Sequence, residues 1–449
     1  MTNPSSRPTS DRPTSDQGIS RRDLLRGASV GIAASVGASL LPTFGYSQQP
    51  GQSTPASASL PKEFSRNEFL RRWQRVRNLM KEAQLDCLIV PAGHEAQPDE
   101  PHDVTYLTGT GAGWVVFPYE GSPIAIGGRR RGGPSGLGIE LRPDGRPPGS
   151  VSGNAVAGHW SPAVIDALRD RGMSRARIGI GNLVGVYRDE EGGVSYTTLD
   201  RITKAFPHAQ FESGVDVLMK AHLVRGPEEI AVMEKANEVA WKGVATLLDT
   251  VRPGVSFTEV WLKIFQTLAV ASGELGAVAL SVGDTRATGP NSEVLRAGTV
   301  MDQEITGRVR GYNMQVNFGA AIGSPVPPEW TSAAPYCIEV YDRLLDFMAP
   351  GKSLRELNNF YVNLLAKKGL TEPGTTVIYH LGAGARSGPN RREGMELVLE
   401  PGWVFHTVKP TIPMPNADAV ARFGDGVVIT DRGARRIGNH KFEVLTLGA

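Results

Sequence analysis

The chain has 449 residues, and its 48 Lys and Arg nearly balance its 46 Asp and Glu, for a formal net charge of +2. That balance leaves no bulk field to recruit nucleic acid or an anionic membrane surface, so partners of both kinds are excluded on charge. The length accommodates two or three domains, and 53 glycines with 32 prolines point to a mixed α/β chain rich in turns and long connections. The two cysteines, Cys87 and Cys337, each lie in an apolar run, which favours buried free thiols over a disulfide.

Residues 1–19 are rich in Ser, Thr, Pro and Asp and carry too little apolar surface to fold. Ser20-Arg21-Arg22-Asp23-Leu24-Leu25 then precedes a small-residue apolar run from Gly27 to Leu41. That run is short for a membrane span and suits a signal segment. The paired arginines match a twin-arginine export signal. The expectation is export to the periplasm or beyond, with residues 1–60 outside the folded part and no membrane association beyond export.

Next, Ser65-Arg66-Asn67-Glu68 has capping-box spacing, followed by Phe69, Trp73, Val76 and Met80 at helical intervals. Strands are predicted at Cys87–Val90 and Trp114–Phe117. The Gly-, Pro- and Arg-rich stretch 128–158 is predicted to be an extended loop, with Arg129–Arg131 as a solvated turn. A helix over Pro162–Arg171, a strand over Arg177–Gly181 and a helix over Thr198–Phe206 complete an N-terminal domain, 61–216.

The second domain, 217–449, opens with a long helix: Pro227 at its first position, Glu228 and Glu229 in its first turn, and an apolar stripe through Ile230, Met233, Ala240, Val244 and Leu247. Pro253-Gly254-Val255-Ser256-Phe257-Thr258-Glu259 then feeds another helix and recurs as Pro350-Gly351-Lys352-Ser353-Leu354-Arg355-Glu356. Each copy leads on to a glycine-initiated strand, Gly298-Thr299-Val300-Met301 or Gly402-Trp403-Val404-Phe405. Two halves related by a pseudo-twofold axis are expected, with a site at their seam. Val300–Thr306 is predicted as a strand, 307–312 as a turn, and the following strand carries Gln315, so that Glu304 and Gln315 lie eleven residues apart across a hairpin.

Tyr106-Leu107-Thr108-Gly109, the lead-in Lys220–Ile230, the Gly311-Tyr312 turn, Leu399–Phe405 and Gly426–Gly433 together give residues 63–449 a resemblance to the creatinase / aminopeptidase P / methionine aminopeptidase superfamily, in its two-domain prolidase and creatinase branch. The resemblance implies an α+β fold: a creatinase-type N-terminal α/β domain followed by a pseudo-twofold pita-bread domain. It also implies a homodimer in which the N-terminal domain reaches over the partner's cleft. Peptidases of this kind hold two divalent metals with two Asp, one His and two Glu. Carried over by position, the two Asp fall on Glu304 and Gln315, the His on Ala383, and the two Glu on Lys409 and Gly424; a further family His falls near Pro290-Asn291. Hard divalent ions need oxygen-rich anionic shells, so no metal and no other cofactor is expected.

Creatinase, which hydrolyses a C–N bond without metal, supplies the remaining implication: acid/base chemistry from Glu304, Lys409, His380 and Gln315. Asn291, Tyr312, His406 and Arg386 are the candidate substrate contacts, although Tyr312 and Arg386 suit the surface equally and strand alternation turns His406 away from Lys409. The Glu304–Lys409 pair is either catalytic or a structural ion pair, and His380 either catalytic or a core histidine. Three functions follow: a metal-independent hydrolase of a small amide or imino-acid-type C–N bond, an inactive pseudo-peptidase binding a short peptide or small molecule, or an Xaa-Pro peptidase with an altered metal site.

Overall fold

The computed structural model describes residues 60, 63–91, 103–109, 113–127, 137–142, 160–184, 192–283, 285–371, 396–414 and 419–448. The twin-arginine segment, Arg129–Arg131, His380, Ala383 and Arg386 lie outside the described residues. Ser65 opens α1 (Arg66–Glu82), its hydroxyl accepting from the Glu68 N–H at 3.2 Å. The expected box stays half made. The Glu68 carboxylate turns instead to Arg71 and Arg72, and the Ser65 N–H donates to Glu228 at 2.8 Å. A buried carboxylate gains more from two guanidinium groups than from one peptide N–H.

The chain continues through β1 (Cys87–Pro91), α2 (Asp103–Thr108), β2 (Trp114–Pro118), β3 (Ile124–Ile126), β4 (Glu140–Arg142), α3 (Trp160–Asp170), β5 (Arg177–Ile180), α4 (Tyr196–Ala205), β6 (Gln210–Ser213) and α5 (Val215–Leu223). These six strands form one sheet in the order β4-β3-β2-β1-β5-β6. Its central strand β1 is buried on both faces, which is why Cys87–Val90 reads as an unbroken apolar run. Leu88 and Val90 meet α1 and α5 through Phe69, Trp73, Val76 and Leu218, whereas Cys87 and Ile89 meet α3 and α4 through Val164, Leu168 and Ile202. Strand β4 corrects the prediction of a loop throughout 128–158: Glu140–Arg142 pairs in parallel with β3, and Glu140 is held by Arg142 and Arg171. Three residues are too few to show a strand period among glycines and prolines.

The second group comprises α6 (Pro227–Thr250), α7 (Phe257–Ser272), β7 (Ala277–Val282), β8 (Thr285–Ala287), β9 (Thr299–Val309), β10 (Tyr312–Phe318), β11 (Ala320–Ile322), α8 (Pro328–Phe347), α9 (Leu354–Ala366), β12 (Val404–Val408), β13 (Thr411–Pro413), β14 (Val420–Thr430), β15 (Gly433–Arg436) and β16 (Thr446–Leu447). Its ten-stranded sheet follows the path β12-β14-β10-β9-β11-β16, with β7 on β9 and both β13 and β15 on β14. The repeat holds at the level of single hydrogen bonds. Gly254 and Gly351 both adopt φ +87°; the first donates to Leu295 O at 2.9 Å and the second to Leu399 O at 3.0 Å. Isolated bridges Ser256–Val294 and Ser353–Val398 follow in the same places.

β9 runs three residues past its predicted end. Gly307 is not the turn: a Cβ there would lie 2.1 Å from Ala236 O, so glycine is required where α6 crosses the strand. The turn falls at Arg310-Gly311, with φ +53° and +78°, and both N–H groups donate to the Glu274 carboxylate. Trp330 is 1% exposed and packs in the core against Phe423. Cys87 and Cys337 are both free and buried. No helix among the described residues is long and apolar enough to cross a membrane.

Candidate functional site

Strand alternation places Asp302, Glu304 and Thr306 on one face of β9, with Ile305 on the other face, against α6. Glu304 pairs in register with Asn317, and Thr306 with Gln315, so these side chains share a face. Lys409 arrives from the second half, one residue beyond β12, after a register shift between Phe405 and Val408. Its Nζ donates to Glu304 Oε1 at 2.7 Å and to Gln315 Oε1 at 3.2 Å. Gln315 Nε2 in turn lies 3.4 Å from Thr306 Oγ1. Three residues singled out from sequence therefore do converge at the seam.

Two arginines complete the cluster. Arg286 donates to Glu304 Oε2 at 2.9 Å. Arg422 donates to Asp302 Oδ2 at 2.5 Å and to Thr411 Oγ1 at 3.1 Å, and its Nη1 lies 3.6 Å from Glu304 Oε1. Burial pushes the Glu304 carboxyl up, but Lys409 and Arg286 outweigh it and hold the group near 2, ionised at neutral pH. Burial, helped by Arg422, pulls the Lys409 ammonium below its ordinary value despite Glu304. Burial raises Asp302 even with Arg422 beside it. Arg422 carried a weak signal in the sequence, since it stands two residues before Gly424 on a strand and so shares its face. Arg286 carried none.

The other candidates lie elsewhere. Tyr312 is three residues from Gln315 and hence on the opposite face; its hydroxyl donates to Glu229 at 2.8 Å and accepts from Arg72 at 3.2 Å. It belongs to the contact between α1 and α6, which corrects its assignment to the substrate pocket. Asn291 is likewise corrected: its Oδ1 accepts from the Glu293 N–H at 2.9 Å and its carbonyl from the Thr258 hydroxyl, so it shapes its own turn. His406 is buried, with Nδ1 3.0 Å from Asn313 O, and ties β12 to β10. Asp425 faces α6, where it accepts from Asn237, from Trp241 at 3.1 Å and from Arg436 at 2.9 Å.

The described donors do not fit a divalent metal. Both Glu304 oxygens already accept from cations, and an ammonium stands at 2.7 Å. A divalent ion 4 Å from that ammonium is repelled by roughly 8 kcal/mol at an effective dielectric of 20. A side chain at Gly424 has no room to add a ligand, because its Cβ would lie 2.6 Å from both Val408 O and Lys409 Cβ. Among the described residues, no three His, Cys, Asp or Glu side chains group so as to hold a metal.

A sheet built from two matched half-repeats, with charged strand residues meeting at the seam and an α/β domain ahead of it, defines the pita-bread class. The family model described as metallopeptidase family M24 matches residues 231–431. An Xaa-Pro dipeptidase from Pyrococcus furiosus is 25% identical over 272 residues, covering 57% of this chain and 74% of its own. Among solved structures, an Xaa-Pro dipeptidase from Bacillus anthracis superposes with a TM-score of 0.68 at 19% identity, over 84% of this chain and 100% of that one. A dipeptidase from Mycobacterium ulcerans gives 0.67 at 20% identity, over 86% and 100%. Residues 231–431 are thus similar to the metallopeptidase family M24, and the fold is that of the prolidase-like structures.

Proposed function

We propose that this protein is a metal-independent M24 homologue whose seam binds a small peptide- or amide-like ligand and has lost metal-assisted hydrolysis. One observation carries the proposal: Lys409 Nζ lies 2.7 Å from Glu304 Oε1, where the resemblance puts two metal-ligating carboxylates. Each acid in the cluster is matched by a base. A glutamate held near 2 is a weak general base at neutral pH. Neither cysteine supplies a thiolate, since burial pushes both thiols up to about 12.

A second reading, creatinase-like hydrolysis of a C–N bond, draws support from Lys409. Its ammonium stands beside the Gln315 amide and its pKa is lowered by burial, so it can donate to a carbonyl oxygen or, once neutral, accept a proton. Calorimetry and turnover assays with Pro-containing dipeptides and creatine-like amides, with and without chelator, separate the two. Saturable binding with no product supports the first reading. Chelator-insensitive turnover that Glu304→Gln or Lys409→Met abolishes replaces it with the second, and turnover that chelator abolishes contradicts both.

We further propose export through the twin-arginine pathway, supported by Arg21-Arg22 ahead of the apolar run. A homodimer is proposed on the resemblance to two-domain relatives, and light scattering at micromolar concentration tests it.

A further inference from the structure

Strand β14 carries the seam on one face and a second layer of contacts on the other. Arg422 and Gly424 point towards Asp302 and Lys409, so alternation turns Phe423 and Asp425 to the opposite face, against Trp330 of α8 and Trp241 of α6. The chain lays its own last segment over those two residues. The backbone leaves the sheet after the Ile437 N–H donates to Gly426 O at 2.8 Å, and returns where Leu445 O accepts from the Ala321 N–H at 3.0 Å. Among the described residues, no backbone group of 438–444 bonds to another backbone group. Side chains and one close approach hold the segment instead. Gly438 passes over the Asp425 carboxylate, where a Cβ would lie 2.3 Å from Oδ2 and 2.9 Å from Trp241 Nε1. The His440 ring stacks on Trp241 at 4.4 Å. The Phe442 ring sits among Trp241, Phe318, Tyr341 and Phe423 at centroid distances of 6.0, 6.4, 5.2 and 5.5 Å, and the Arg436 guanidinium lies 4.1 Å from its centre. Asn439, Lys441, Glu443 and Val444 are exposed, so this one ring is the main anchor.

We infer that residues 438–444 form a strap that lifts as a unit, and that its seating on Phe423 and Asp425 sets how firmly β14 holds Arg422 at the seam. Lifting it breaks no backbone ladder, so it opens while β14 stays paired. The cost falls on the residues beneath. Trp241 and Arg436, which donate to Asp425 at 3.1 and 2.9 Å, lose the His440 and Phe442 rings packed on them. Phe423 loses the ring at 5.5 Å. Arg422 lies between these changes and the seam, where it ties Asp302 to Thr411 of β13. The seam is therefore governed from the far side of the sheet. Lys441, exposed within the strap, is also a cleavage point for a protease specific for basic residues; a cut there leaves Phe442 seated only by its contacts. This inference concerns the scaffold and stands whether or not the seam turns over a substrate.

Amide hydrogen exchange read by mass spectrometry tests it on full-length wild type, Phe442→Ala and Gly438→Ala, with trypsin cleavage after Lys441 followed alongside. The first variant removes the anchor, and the second drives a methyl group against Asp425. Both should be cut after Lys441 at least tenfold faster than wild type. Both should also exchange at least tenfold faster over 404–413 and 420–425, the stretches that carry Lys409, Thr411 and Arg422, while α7 (Phe257–Ser272) keeps its wild-type rate. Equal acceleration in α7 means that the whole domain is loosened, and overturns the inference. Fast cutting with wild-type exchange over 404–413 and 420–425 means that the strap lifts without reaching the seam, and overturns it too. Should either variant fail to fold, wild type nicked after Lys441 takes its place, with the same exchange pattern expected and the same two outcomes against it.

Discussion

Lys409 and Glu304 come from opposite halves of the internal repeat and meet at 2.7 Å, with side chains only 9% and 16% exposed. Breaking such a pair from one side strands the other charge. Lys409→Met is therefore expected to lower stability to urea by about 3 kcal/mol. The double variant Lys409→Met/Glu304→Gln should lose clearly less than the sum of the two single changes. Additive losses would mean that the two groups are not coupled.

Glu304 also gives a pH signature. Its folded value is about 2, below an unfolded value near 4.3, so the folded state binds fewer protons in that interval. Its contribution is fully present above about pH 5 and is lost as pH falls through the folded value. On the order of 3 kcal/mol should disappear between pH 5 and pH 2 in wild type relative to Glu304→Gln. The difference between the two proteins isolates this group from Asp302, whose raised value acts in the opposite direction. Parallel stability profiles for the two would refute the assignment.

Arg72 anchors the N-terminal layers to the second sheet. Only 1% exposed, it donates to Glu68 at 2.8 Å, to Tyr106 O at 3.2 Å and to the Tyr312 hydroxyl at 3.2 Å, and lies 3.6 Å from Glu229. Three arginines, 72, 225 and 71, hold the fully buried Glu229 carboxyl well below its usual range. Arg72→Met should cost about 4 kcal/mol and split calorimetric unfolding into two transitions as the two cores uncouple. Arg72→Lys should not rescue it, since an ammonium lacks the guanidinium fork. A single transition at an unchanged temperature would contradict this role.

The repeat predicts matched costs. Gly254 and Gly351 share φ +87°, and a Cβ at either would meet nothing within 4 Å, so alanine there meets only backbone strain. Gly254→Ala and Gly351→Ala should each destabilise by about 1–2 kcal/mol, equally within error. A large inequality in chemical denaturation would argue against equivalent turns.

Much of this geometry was legible in the sequence. The doubled Pro-Gly-x-Ser turn announced the two halves, because only a few residue types satisfy φ > 0 followed by a helix cap. The hairpin carrying Glu304 and Gln315 was legible, but the register that puts them on one face depends on the turn at Arg310-Gly311, whereas alternation read three residues back from Gln315 should have turned Tyr312 away. Other features had no local signature. Gly307 looks like a turn residue and is a point of close helix approach, which depends on Ala236 far away in the chain. Asn291 attracts attention as a polar group, yet local Asx chemistry consumes it. Arg286 reaches Glu304 from a three-residue strand whose pairing no sequence period marks.

Elemental analysis of the purified wild-type protein, paired with thermal unfolding in chelator and in added manganese, tests the central claim most directly. A protein whose seam already carries its own cation should retain no stoichiometric manganese, cobalt or zinc, and its unfolding midpoint should be the same in all three conditions. One or two tightly held metal ions per chain, or a midpoint that falls with chelator and recovers with manganese, would contradict it.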